Sequence, residues 1–168
     1  MNAEQLQKTL RASQYAEQVL SIHQVYLEQD YAIDQFSQPL TTEQIFDVVQ
    51  NTLKDISDEI TWMRTIRILR ARLMFRWIWQ DANQLTDVMT LTRELSDFAD
   101  AAICVAKAFA LAPSVAKHGQ PVGYNHHIQD LIVVAMGKLG AQELTLSSDN
   151  DLILAFDEQG ETDGRNCI

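Results

Sequence analysis

Two aspartates one residue apart, Asp149 and Asp151, open an apolar run, Leu152-Ile153-Leu154-Ala155-Phe156. In an extended chain, side chains alternate between faces, so these carboxylates project on the same side, roughly 6.6 Å apart. Carboxylate oxygens are ligands for hard divalent cations. Paired cations neutralise a transferring phosphoryl group and hold the attacking and leaving oxygens in line. Upstream, Gly137 ends another apolar run, Leu131-Ile132-Val133-Val134-Ala135-Met136. A glycine there lets phosphate oxygens reach backbone N–H groups, and Lys138 adds a point charge. The acid-x-acid pattern recurs at Glu28/Asp30 and Glu161/Asp163. Residues two apart on a helix do not share a face, which sets aside the first. The second reads as a polar turn between two glycines. Asp157 has the parity of Asp151 but lies some 20 Å further along an extended chain.

The elements that must position these groups follow from where the helix breakers fall. All six glycines lie at or beyond Gly119, and two of the three prolines lie beyond residue 110. The first 118 residues therefore read as a helical bundle, and residues 119–168 as a second, strand-bearing unit. Leu6, Leu10, Ala16, Leu20, His23 and Leu27 fall on one face of a first helix. Thr41-x-x-Gln44 is a capping box for a second, with Ile45, Val49, Leu53, Ile56 and Ile60 as its apolar stripe. A third helix is expected from about Thr61 to Asp81 and a fourth from about Leu85 to His118, kinked or interrupted at Pro113. His118-Gly119 followed by Pro121 is a helix stop. The two apolar runs read as buried strands. Two strands are too few for a stable sheet, so the chain looks like the front part of a longer protein. The fold class is α+β: about four helices, then the first two strands of a sheet.

Composition narrows the classes of function. Thirteen basic against 23 acidic residues leave a net charge of −10, which argues against a general nucleic-acid or membrane-surface binder. No unbroken apolar stretch reaches the ~20 residues of a membrane span. Cys104 and Cys167 form neither a disulfide framework nor a metal-ligand pair. With no apolar core to its N-terminus resembling a secretory signal, a cytoplasmic location is the default.

The longer pattern around the aspartates is specific. Gly137, Ser148, Asp149 and Asp151, with twelve positions from the glycine to the first aspartate, resemble the signature of DNA polymerase beta-like nucleotidyltransferases. More narrowly, three blocks resemble the glutamine synthetase adenylyltransferase/adenylyl-removing enzyme family: Met136-Gly137-Lys138-Leu139-Gly140, Glu143-Leu144, and Ser147-Ser148-Asp149-x-Asp151-Leu152-Ile153. The resemblance extends upstream through Arg64-x-x-Arg67-x-x-Arg70-x-Arg72-Leu73-Met74-Phe75-Arg76-Trp77 and Leu95-Ser96-Asp97-Phe98-Ala99-Asp100. It implies Mg2+ held by Asp149 and Asp151, a phosphate side shaped by Gly137, Lys138, Ser147 and Ser148, and ATP, ADP and phosphate as substrates or products. It further implies glutamine synthetase as substrate and the PII signal protein as regulator. The Ser-Ser-Asp-x-Asp version behind an all-helical region resembles the N-terminal half, which removes AMP from a tyrosine by phosphorolysis and releases ADP. The family's other half adds AMP from ATP. Ala141 stands where the family usually has glycine, and Asn150 where it usually has an apolar residue. The family's third carboxylate lies on a later strand, so the chain alone is expected to be inactive or nearly so. The rival reading is a non-catalytic helical interaction module, with self-association through an exposed sheet edge as a further expectation.

Other groups carry less. Arg64, Arg67, Arg70, Arg72 and Arg76 lie between Thr61 and Gln80 with no acid among them. Either Arg64, Arg67 and Arg70 form an anion surface, or the arginines pair with acids on neighbouring helices while Trp62, Ile66, Leu69, Leu73 and Trp77 fill the core. His126-His127 reads as a surface loop, His23 as a core-edge residue, and Cys104 as a small buried hydrophobe.

Overall fold

The computed structural model describes residues 2–32, 36–124 and 126–164. Cys167 lies outside them. Five helices come first: α1 (Ala3–Ala12), α2 (Gln14–Ala32), α3 (Thr42–Leu53), α4 (Glu59–Ala82) and α5 (Val88–His118). Then come β1 (Pro121–Gly123), β2 (Ile132–Ala135), the single turn α6 (Gly137–Gly140), β3 (Leu152–Ala155) and β4 (Gly160–Thr162). The fold is α+β and mostly helical.

Side-chain caps decide where the helices begin. The Thr41 hydroxyl and Gln44 side chain form the expected reciprocal capping box on α3. Asp58 accepts from the Thr61 N–H to start α4, and Asp87 from the Thr90 N–H to start α5. The expected first helix is two. Ser13 adopts an extended conformation and its hydroxyl accepts from the Ala16 N–H, so the helix ends and restarts there. A second departure follows at His23, where φ −120° and ψ 22° kink α2. The face itself is real, since Ala16 and Leu27 are buried and Leu6, Leu10 and Leu20 pack on the core. The α3 stripe stops at Leu53; Ile60 belongs to α4 and is 80% exposed.

Helix α4 is the centre of the body, packed by α1 and α2 on one side and by α3 and α5 on the other. From Leu73 to Gln80 every residue is buried, which is why this segment lacks an amphipathic stripe. One core gathers Ile45, Val49, Leu53, Trp62, Leu69, Trp77, Leu95 and Phe98 from α3, α4 and α5. The other joins Ala16, Val19, Leu27 and Phe36 to Phe75, Ile78 and Trp79.

Helix α5 runs through Pro113 without interruption, contrary to expectation. The carbonyl that the missing N–H leaves without a helical donor is that of Phe109, one turn back, and Phe109 is only half-buried. The N-terminal half of α5 is packed in the core, but Cys104 on its outer half is exposed rather than buried. By length and composition α5 is apolar enough to cross a membrane, with mean hydropathy 1.5 over an 18-residue stretch that is 17% buried. A search for an unbroken apolar run passes over it, because Asp97, Asp100 and Lys107 break the run while the alanines around them keep the average high. Gly119 ends it with φ +87°, and a Cβ there would collide with the Gly164 nitrogen.

The strands form two antiparallel pairs, β1 with β4 and β2 with β3. In the second pair Ile132 faces Ala155 and Ala135 faces Leu152. Neither apolar run is buried as expected: Ile132, Val134, Ile153 and Leu154 are 45%, 42%, 50% and 62% exposed. A two-stranded ribbon has two faces, and the helical body does not cover them. Glu161 stands in β4 opposite Val122 rather than in a turn, and Asp163 accepts from the Gln120 N–H. Strands of three residues around glycine and proline carry too little alternation to be seen in sequence.

Candidate functional site

The turn between β2 and β3 is built on two glycines and two leucines. Gly137 adopts φ +54°, which a side chain disfavours. Gly140 is required by contact, because a Cβ there would lie 2.5 Å from the Ala135 carbonyl oxygen. Leu139 and Leu144 sink into the helical core, and the Leu144 N–H donates to the Ser96 hydroxyl at 3.2 Å. Gln142, itself at φ +58°, donates to Asp100 at 2.8 Å. The blocks Met136–Gly140, Glu143-Leu144 and Leu95–Asp100 thus meet in space: the first two make the turn and the third receives it.

Beyond that anchor the chain returns to β2. The Thr145 N–H donates to the Ser148 hydroxyl at 2.9 Å, the two hydroxyls lie 2.8 Å apart, and the Ser148 N–H donates to the Thr145 carbonyl. Asp149 and Asp151 follow, both exposed. They precede β3 rather than lying within it. The Asp151 carbonyl nevertheless accepts from the Met136 N–H at 2.9 Å, carrying the pairing one residue past the strand. Asp151 is thereby fixed opposite Met136, the residue before Gly137. Lys138 and Ser147 are exposed, and Ser148 is half-buried.

As metal ligands the pair fits in part. Two exposed carboxylates are suitable hard donors, but among the described residues no group of three or more His, Cys, Asp or Glu stands together. A hard cation takes six or more oxygens, so further ligands would come from water, substrate or other residues.

The arginines divide between both readings. Arg72 reaches the buried Asp30 with two bonds of 2.8 and 2.5 Å, which holds its guanidinium even further into the charged range. Asp30 of the Glu28/Asp30 pair is therefore a structural ion partner. Arg76 donates to Glu94 at 2.6 Å and to the Gln38 carbonyl at 2.5 Å. Arg64, Arg67 and Arg70 are exposed and make no ion pair with the described residues. Arg67 and Arg70 line a half-open cavity of about 340 Å³ between α4, α5 and the 144–150 segment. Ser148 and Asn150 line it as well, whereas Asp149 and Asp151 do not. Alternation along the chain thus separates the acid pair from the arginine groove, a juxtaposition that sequence spacing did not reveal. His126 and His127 are exposed, as expected of a loop.

The profile of the glutamate-ammonia ligase adenylyltransferase family matches residues 3–168. The bifunctional glutamine synthetase adenylyltransferase/adenylyl-removing enzyme of Acinetobacter baylyi is 75% identical over all 168 residues. The enzyme of that name from Hahella chejuensis is 44% identical over 62% of this chain, and that from Thioalkalivibrio sulfidiphilus 36% identical over 79%. The chain spans 18%, 11% and 14% of the lengths of these three relatives.

Proposed function

Because the chain belongs to the glutamate-ammonia ligase adenylyltransferase family, we propose that it supplies part of a metal-dependent adenylyl-transfer site acting on glutamine synthetase. The observation that carries this reading is the placement of Asp149 and Asp151, both exposed, with Asp151 held opposite Met136, the residue before Gly137, by the bond from the Met136 N–H to its carbonyl. The two carboxylates supply oxygen ligands for Mg2+. Held there, Mg2+ would supply charge neutralisation for a transferring phosphoryl group. Gly137 leaves its side of the turn open, with nothing within 4 Å of where a Cβ would stand. Lys138 adds positive charge there and Ser147 shapes the same side, whereas Ser148 lines the arginine groove.

The direction we favour is phosphorolytic removal of AMP from a glutamine synthetase tyrosine, with ADP released. The support is the resemblance of Ser147-Ser148-Asp149-x-Asp151 to the adenylyl-removing half. A cytoplasmic location and regulation by the PII signal protein belong to the same proposal. The 168-residue chain alone is inactive in this reading, since no third carboxylate joins the pair among the described residues.

Magnesium titration followed through the NMR signals of Asp149 and Asp151 tests the site. Saturable binding that Asp149→Asn abolishes supports it. Millimolar binding indifferent to the substitution refutes it and leaves a non-catalytic helical interaction module. The direction is tested in a chain of the relatives' length, by whether Asp149→Asn with Asp151→Asn stops ADP release from adenylylated glutamine synthetase while AMP addition continues.

A further inference from the structure

Helix α4 turns one face to the core and leaves the other open. At about 100° per residue, Ile60, Met63, Arg64, Arg67 and Arg70 fall within about 120° of arc. Trp62, Leu69 and Leu73, on the opposite side, are buried. On the outer face Ile60 is 80% and Met63 41% exposed. Arg64, Arg67 and Arg70 are exposed there without an ion partner among the described residues. Arg72 and Arg76, which lie off this face, are paired with Asp30 and Glu94.

The composition of this face differs from that of a merely solvated one. No acid stands on α4 between Glu59 and Asp81, and all five cations of the helix are arginines. Like charges three or four residues apart destabilise a bare helix, and carboxylates laid against the row relieve that repulsion. Arginine and methionine are enriched in protein interfaces, whereas lysine, glutamate and aspartate are depleted. The planar guanidinium gives up water more readily than an ammonium and takes a carboxylate in two parallel bonds. The protein's charge is −10, so this patch attracts what the remaining surface repels. Along its flank, Arg67 and Arg70 share a groove with Thr145, Ser148 and Asn150, which add neutral donors and no acid.

We infer that the outer face of α4 is a docking surface for an acidic amphipathic helix of a partner protein, with its carboxylates on Arg64, Arg67 and Arg70 and its apolar end on Ile60 and Met63. Spacing selects a helix. Successive arginines rise by about 4.5 Å along α4, which matches carboxylates three residues apart on a helix. Same-face residues of a strand stand about 6.7 Å apart and do not match. From Ile60 to Arg70 the face is about 15 Å long, or roughly three turns of the partner. It uses neither Asp149 nor Asp151 and is independent of the metal reading.

The test is fluorescence anisotropy of a labelled helical peptide of about 14 residues, titrated with the 168-residue chain in EDTA. The peptide carries glutamates three residues apart and leucine at one end of the same face. Saturable binding at least tenfold tighter than that of the peptide with lysine in place of glutamate, and weakening as NaCl rises, supports the surface. Arg67→Gln should weaken binding at least threefold, Ile60→Ser likewise, and Arg64→Gln, Arg67→Gln and Arg70→Gln together at least tenfold. Arg93→Gln, which removes the same charge from an exposed position on α5, should leave it unchanged. Circular dichroism and melting of each variant establish that it is folded. The inference is overturned if the acidic peptide does not saturate the chain, if the lysine peptide binds as tightly, if Arg93→Gln weakens binding as much as Arg67→Gln, or if the folded triple variant binds like the wild type. A short single-stranded RNA that outcompetes the peptide overturns it in favour of a nucleic-acid surface. Self-association of the chain that the arginine substitutions abolish in sedimentation velocity overturns it in favour of a second copy.

Discussion

Glu94 is 2% exposed and is the polar centre of the helical body. Its carboxylate accepts from Arg76 at 2.6 Å, from the Trp77 indole N–H at 2.8 Å and from the Leu40 N–H at 3.1 Å. Glu94→Gln preserves the volume but removes the charge that faces the buried Arg76 guanidinium. Breaking a buried pair from one side costs about 3–5 kcal/mol. For a chain of this size about 2–4 °C of melting temperature accompanies each kcal/mol, so Tm should fall by roughly 6–20 °C. Urea unfolding followed by far-ultraviolet circular dichroism measures the loss directly. Adding Arg76→Met removes the uncompensated charge, while the side-chain amide that Glu94→Gln introduces can still accept from Trp77 or Leu40. The double variant should therefore lose less than the sum of the two single ones, with a coupling of about 0.5–3 kcal/mol. A loss below about 1 kcal/mol for Glu94→Gln, or strict additivity in the double variant, would refute this account of the network.

Gly140→Ala should destabilise the chain more than Gly137→Ala, as read by urea unfolding. The first places a methyl 2.5 Å from the Ala135 carbonyl, whereas the second meets open space and costs only the roughly 1 kcal/mol of a left-handed conformation. Acid should loosen the helix starts. The Asp58 and Asp87 carboxyls are held below the ordinary value of 3.8 by their bonds from Thr61 and Thr90. Folded values below unfolded ones mean that the stabilisation is complete above about pH 4 and is lost as pH falls through the folded values. Melting in the pH 2–5 range should thus fall less steeply for Asp58→Asn with Asp87→Asn, and identical slopes would contradict the assignment. Finally, the apolar ribbon of β2 and β3 should make the 168-residue chain self-associate with rising concentration in sedimentation velocity. Lysine at Leu154 and Phe156, 62% and 65% exposed, should abolish this; association unchanged by both would place it elsewhere.

Much of this molecule is legible in one dimension because local rules govern it. The capping box at Thr41, the helix stop at Gly119 and the extent of α4 depend on residues within a turn or two of each other. The spacing from Gly137 to Asp151 likewise carries the family resemblance without any knowledge of packing. The side-chain caps at Ser13, Asp58 and Asp87 were available to the same rules but give weaker signals than a reciprocal pair.

Other properties depended on neighbours that only folding supplies. Periodicity says that a run is apolar and extended, but not what lies against it, and β2 and β3 proved exposed because, among their described residues, only Ala135 packs against the helical core. The five arginines of α4 are alike as a sequence pattern. Asp30, 42 positions from Arg72, and Glu94, 18 from Arg76, give two of them carboxylate partners, while Arg67 and Arg70 come to face Ser148 and Asn150 across a groove. Residue types and local spacing state which groups can carry charge or hold a cation. Which of them are neutralised and which face a ligand is set by partners distant in the chain, whose positions follow from the packing of whole helices.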